Sequence, residues 1–189
     1  MKKSPLFLLC TFLLLVACDS PLLNSFGLKS PSKDAQISAQ KLTDQGYELI
    51  AQEQPRAAVA LFDQAIGGDE KNIRAYQGKG IALNKLGKHD EAEAAYAEAL
   101  KIAPDAVNVT NNLAMSKILR GKHQEAIDLL TPLANKPSPN ATIVENLALA
   151  NCLMGKNDAA RKLYGKSLTP AEIEENLRFC KKFEGMRSK

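Results

Sequence analysis

Two histidines and four cysteines carry the most distinctive chemistry in this chain of 189 residues. His89 and His123 each follow a Gly-Lys pair and lie one 34-residue interval apart. A metal shared between them is disfavoured, because ligands must converge to about 2 Å from an ion whereas neighbouring packed helices lie about 8–10 Å apart. Both are expected to be exposed polar residues beside a turn, and no metal or other cofactor is expected. Cys152 and Cys180 match no zinc or redox spacing; two separate buried thiols are the favoured expectation, with a bond between them as the alternative. No Gly-x-Ser-x-Gly, His-Glu-x-x-His or phosphate-binding glycine loop is present, and Asp90, Glu91 and Glu93 suit the first turn of a helix, where carboxylates meet the positive dipole end. No catalytic residue is assigned, and an enzyme is not expected.

The other two cysteines lie in the leader. Lys2 and Lys3 precede a run from Leu6 to Ala17 that ends at Cys18, the plan of a secretory signal peptide. As a helix that run would rise about 18 Å, short of a bilayer core of roughly 30 Å, so a permanent span is not expected. Leu15, Val16, Ala17 and Cys18 resemble a bacterial lipobox. The resemblance implies cleavage before Cys18, lipid on its sulfur and acylation of its nitrogen; an ordinary cleavage site with an incidental cysteine is the alternative. Cys10 offers no such match, since Phe7, Leu8 and Leu9 before it supply no small residue. Several acyl chains at about 0.8 kcal/mol per buried methylene would make the anchoring permanent and leave the remainder facing the periplasm. Residues 1–17 are therefore assigned to the signal peptide, and 18–36 to the lipidated cysteine and a flexible linker interrupted by Ser20, Pro21, Gly27 and Pro31.

The elements that follow are helical. Hydrophobic residues make up 45% and charged residues 24% of the chain, the balance of a soluble globular protein. Aromatics are 5% with no tryptophan, while alanine, leucine, lysine and glutamate crowd the body, which favours helices over a β-sandwich. The net charge of +4 falls to +2 once Lys2 and Lys3 are set aside, no footprint for nucleic acid. A shift of 34 residues aligns Gly87 with Gly121 and Gly155, Ala58 with Ala92, Ala126 and Ala160, and Phe62 with Tyr96, Leu130 and Tyr164. It also aligns the small set Gly46, Gly80, Ala114 and Ala148. Four copies result, at about 39–72, 73–106, 107–140 and 141–168, each an antiparallel helix pair turned at Gly-Lys, or at Glu53, Gln54 and Pro55 in the first copy.

The second copy, with Tyr76, Gly80, Leu83, Ala92, Tyr96, Ala99 and Pro104, resembles the tetratricopeptide repeat. Departures are Lys79, Lys117 and Asn151, where that family prefers leucine or an aromatic. The expected fold is all-α: a tetratricopeptide-repeat solenoid of four helix pairs over residues 37–168, then a capping helix and tail over 169–189. Pro132 should end or bend its helix near Leu130, and Thr169, Pro170 and Glu172 form the start of the last helix.

Beside the core stripe, each first helix carries a second one: Tyr47 and Ile50; Arg74, Gln77, Ile81 and Asn84; Asn108, Asn111, Met115 and Ile118; Glu145 and Leu149. Their spacings of three and four put each set on one helix face. In tetratricopeptide proteins this face lines a concave groove, and its mixture of apolar side chains and amides suits an amphipathic or extended partner segment; the alternative is packing between repeats. Thr43 and Tyr47 stand where the carboxylate clamp of chaperone-binding repeats needs lysine and asparagine.

The lipobox, linker, repeats and last helix together resemble the TadD-type lipoprotein of tight-adherence (Flp) pilus assembly. Closest is the stretch from Asn146 to Ala150, on through Gly155 to Leu168, Thr169, Pro170, Ala171 and Glu172, then Asn176 and Leu177. The resemblance implies a non-enzymatic scaffold for pilus secretion-system subunits such as the secretin, for which it would be a pilotin. A general envelope adaptor recruiting proteases or cell-wall enzymes is the runner-up. An outer-membrane location fits a pilotin, whereas Asp19 after Cys18 resembles an inner-membrane retention signal. If Cys18 is acylated, Cys18→Ala should abolish metabolic labelling with a fatty acid and leave the leader uncleaved; a labelled variant would refute the lipid assignment.

Overall fold

The computed structural model describes residues 32–187, with side chains described through residue 183; the signal peptide, Cys18 and most of the linker assigned from the sequence lie outside them. The described chain folds into helices α1 (Lys33–Ala51), α2 (Pro55–Gly68), α3 (Ile73–Lys85), α4 (His89–Ile102), α5 (Val107–Leu119), α6 (His123–Ala134), α7 (Ala141–Cys152), α8 (Asn157–Tyr164) and α9 (Pro170–Arg187). None is long and apolar enough to cross a membrane.

The four pairs α1/α2, α3/α4, α5/α6 and α7/α8 follow the repeat boundaries closely. At the start α1 begins earlier than expected: Ser32 accepts the amide of Ala35 at 3.2 Å, so residues 33–36, assigned to the linker, form its first turn. The turns inside the later pairs share one geometry. Gly87, Gly121 and Gly155 have φ of 74°, 76° and 73°, and the following lysine amide reaches back to a carbonyl of the last helical turn, as Lys88 does to Leu83 at 2.9 Å. Glu53 occupies the same place in the first pair with φ 55° and the same bond from Gln54 to Leu49 at 2.9 Å, a left-handed conformation that glycine adopts at less cost.

First helices touch in sequence, α1 to α3, α3 to α5, α5 to α7 and α7 to α9, whereas among the described residues the second helices make no such contacts with one another. The layer of first helices is therefore the inner one of a curved stack. Its core is a succession of four buried clusters along the chain, centred on Phe62, on Tyr96, on Leu130, and on Tyr164 with Leu177. Close approach depends on absent Cβ atoms: one added to Gly46 or Gly78 would lie 2.6 or 2.3 Å from the Phe62 ring, and one on Gly80 would lie 2.4 Å from that of Tyr96.

Helix α9 takes the position of another first helix, packing on α7 and α8. The Thr169 amide and hydroxyl donate to Glu172 Oε2 at 2.8 and 2.7 Å, the expected capping box with Pro170 opening the helix. Two expectations are corrected. Helix α6 continues through Pro132 to Ala134 rather than ending near Leu130; only two residues follow the proline, so its missing amide costs a single bond, to the Asp128 carbonyl, in a terminal turn. Cys152 and Cys180 are joined in a disulfide, Cα–Cα 5.9 Å, rather than remaining separate thiols, because docking of α9 brings the two buried side chains together.

Gly78→Ala should destabilise the fold by about 1–3 kcal/mol, whereas Gly67→Ala, whose Cβ would meet nothing within 4 Å, should be neutral or stabilising by up to about 1 kcal/mol. Urea unfolding of the two variants checks this.

Candidate functional site

Among the twelve residues of the expected binding stripe, the inner layer brings Ile81, Asn84 and Met115 into one cleft between α3 and α5. It has a volume of about 290 Å³ and is completed by Lys85, Tyr96, Asn112 and Leu119. The stripe is rotated from its expected course on α5: Ile118 is 5% exposed and belongs to the core around Leu130, while its neighbour Leu119 is 55% exposed. A one-residue step turns a helix by about 100°, so the assignment of Ile118 to the groove is corrected in favour of Leu119.

The remaining stripe residues are dispersed along the layer. Tyr47, half-buried, stands edge-on to Phe62 at 5.4 Å and donates its hydroxyl to the Arg74 carbonyl at 3.1 Å. The Arg74 guanidinium lies 4.8 Å from the Tyr47 ring centre and pairs with Asp44, and burial raises the Tyr47 pKa against the pull of that cation. Asn111 accepts from Asn146 at 2.9 Å. Ile50, Gln77, Glu145 and Leu149 are half-buried and Asn108 is exposed.

Polar groups fix the floor of the cleft. Ser116 Oγ donates to Asn84 Oδ1 at 2.9 Å, and Asn84 Nδ2 approaches the Tyr96 hydroxyl at 3.4 Å. His89 Nδ1 lies 2.9 Å from the same Asn84 oxygen; an acceptor there puts the proton on that nitrogen. His89 is thus partly buried in a network, and His123 is buried, 6% exposed, which corrects the expectation of two exposed polar histidines. Burial raises the Tyr96 pKa well above that of an ordinary phenol, keeping it a neutral donor at the cleft wall. Among the described residues no group of three His, Cys, Asp or Glu side chains could hold a metal.

Helices α4, α5 and α6 meet in an ion-pair cluster that the sequence did not reveal. Glu93, 16% exposed, faces Lys117 at 3.2 Å, Arg120 at 3.1 Å and Lys122 at 3.7 Å; Lys117, 14% exposed, also pairs with Glu125 at 2.5 Å. Lys117 stands at one of the positions where an apolar residue was expected, and its carboxylate partners come from the two flanking helices, a signal no single repeat carries. Desolvation pushes the Glu93 pKa up, but hydrogen bonds from Arg120 and Lys117 outweigh it and hold it below the ordinary glutamate value.

Residues 43–107 match the tetratricopeptide repeat family. The uncharacterized protein y4yS of Sinorhizobium fredii is 31% identical over 77 residues, 41% of this chain and 42% of that protein, so this chain spans about two-fifths of the length of the relative it matches. Among solved structures, the Pseudomonas aeruginosa pilF protein superposes with a TM-score of 0.66 at 18% identity, covering 82% of this chain and 75% of its own. The second tetratricopeptide domain of human RPAP3, bound to an HSP70 peptide, gives a TM-score of 0.55 at 21% identity, covering 62% of this chain and 95% of its own. The chain has the fold of a tetratricopeptide-repeat solenoid, and tetratricopeptide proteins are generally non-enzymatic scaffolds.

A depressed Glu93 pKa contributes stability that is fully present above the unfolded value and is lost as pH falls through the folded one. Unfolding midpoints should therefore drop below about pH 4.5. Glu93→Gln should cost about 1–3 kcal/mol at neutral pH and flatten that acid limb, as urea titrations across pH would show.

Proposed function

We propose that this chain is a non-enzymatic scaffold that holds a segment of a partner protein along its inner helix layer, and that it does so from a lipid anchor on the periplasmic side of the cell envelope. The observation that carries the binding is the cleft of Ile81, Met115 and Leu119 floored by Asn84 and flanked by Asn112 and Lys85: an apolar socket for one side chain, with polar groups beside it to meet a partner backbone. The RPAP3 domain, with its bound HSP70 peptide, supports use of such a layer for a peptide. Support for the compartment comes from the buried Cys152–Cys180 disulfide, a bond at home in an oxidising environment, together with the lipobox resemblance at Cys18.

The partner we propose is a subunit of a tight-adherence pilus system, the secretin first among them, on the strength of the TadD-type pattern that runs from Asn146 to Phe179. Its Thr169, Pro170 and Glu172 start the docked α9, so the most specific part of the resemblance coincides with an ordered element. An outer-membrane anchor follows from a secretin partner.

Ile81→Asp combined with Met115→Lys should weaken partner binding by about 2–4 kcal/mol, with loss of assembled pili and secretin multimers from a folded chain. Photo-crosslinking from residue 115 in living cells should capture the secretin or another pilus subunit. Wild-type pilus assembly by the folded double variant would defeat the groove, and recovery of proteases or cell-wall enzymes alone would favour an envelope adaptor.

A further inference from the structure

A helix that closes a solenoid core with one face and meets water with the other should have a polar outer face. Helix α9 does the first with Ile173, Leu177 and Cys180, all buried. Its outer face departs from the rule: Phe179 and Phe183 stack at 6.4 Å between centroids while 59% and 36% exposed. Charged residues also line it: Glu172, Glu174 and Glu175 come in its first six residues and Arg178, Lys181 and Lys182 follow them, all exposed. Glu174 pairs with Arg161 of α8, whereas Glu175 is turned to the outer side with the aromatic residue.

Glu175, Arg178, Phe179 and Lys182 follow the spacing i, i+3, i+4, i+7, which puts all four on one stripe. That spacing reads the same in both directions. An antiparallel copy of the helix, related by a two-fold axis between Arg178 and Phe179, would set Glu175 opposite Lys182 of the second copy. It would set Phe179 opposite Arg178 of the second copy, a cation over an aromatic face. Self-complementarity of one patch is the condition for an isologous interface. An anionic bilayer fits the face less well, because its acidic half would be repelled.

We propose that the outer face of α9 is a homodimer contact, in which two copies of this chain pair antiparallel through Glu175, Arg178, Phe179 and Lys182. The contact is one helix wide, at the low end of specific interfaces, below roughly 1,200 Å², so the dimer is weak and reversible. Both inner layers stay accessible, since the first-helix cleft and the outer face of α9 lie on different elements. The inference stands apart from the identity of any groove partner.

Sedimentation equilibrium of the full chain in density-matched detergent should show a concentration-dependent dimer. Glu175→Lys and Lys182→Glu, each setting like charges across the axis, should weaken it at least about tenfold. The double reversal should return to within about threefold of the parent, a rescue that a general loss of folding would not allow. Phe179→Ala should weaken the dimer as well, with circular dichroism and the intact Cys152–Cys180 bond checking the fold. A chain carrying both Glu175→Cys and Lys182→Cys should form a covalent dimer in cells; within one helix these positions are about 10 Å apart, too far for a disulfide to close. A monomer up to roughly 0.1 mM, or single reversals without effect, or no rescue in the double reversal, would overturn the proposal. So would loss of binding to phosphatidylglycerol vesicles on Lys182→Glu in a chain that stays monomeric, which would assign the face to a membrane.

Discussion

The stack depends on a contact between an aromatic ring and a missing side chain. The Phe62 ring of α2 reaches Gly46 of its own pair and Gly78 of the next, closer than any Cβ would permit, so one ring fixes the separation of three helices. Dispersion is strong only at contact distance, and a close-packed interior cannot absorb an extra methyl without moving something. The solenoid has no second layer of core to share such a displacement, because each pair touches only its neighbours. Geometry set at this ring is passed along the array.

The cleft is where that fit changes. One interval after Gly78 stands Asn112, and one interval after Phe62 stands Tyr96; both line the opening between α3 and α5. A glycine lets the ring close the gap, and an asparagine side chain does not. The binding site proposed for this chain thus comes from the same small-to-large rule that builds the rest of the core, applied with a larger residue at one point.

Much of the fold is legible in sequence because a 34-residue period averages over four copies. Turns at Gly87, Gly121 and Gly155 recur, and the aligned Ala58, Ala92, Ala126 and Ala160 are each fully buried. The site was less legible because exposure depends on phase within a helix, which the period does not set. Ile118 and Leu119 are both apolar, and only the packing of α5 against α6 and α7 sends the first inward. The disulfide depends on where α9 docks, a non-local fact that cysteine spacing cannot convey. Gly78 left no trace in the alignment because its equivalents, Asp44, Asn112 and Asn146, are polar. Residues 1–31, where the lipid assignment falls, lie outside the described residues.

The departures from the repeat pattern share a physical character: each polar residue at an expected apolar position has a partner. Lys79 pairs with Asp63 at 2.7 Å, Lys117 with Glu93 and Glu125, and buried Asn151 donates to the Leu147 carbonyl at 2.8 Å. An apolar side chain would have given simpler stability, since desolvating an ion pair offsets much of its attraction. Of the larger polar assemblies, Asn84 with Ser116, His89 and Tyr96 ties α3 to α5 at the cleft, and Glu93 with its three cations ties α4 to the end of α5 and the start of α6. Directional bonds hold side chains in one orientation where apolar packing would let them settle. A socket that must stay open without a ligand needs that kind of support: its walls cannot lean on a filled core, and the bonds of Asn84 to Ser116 and Tyr96 hold them in place.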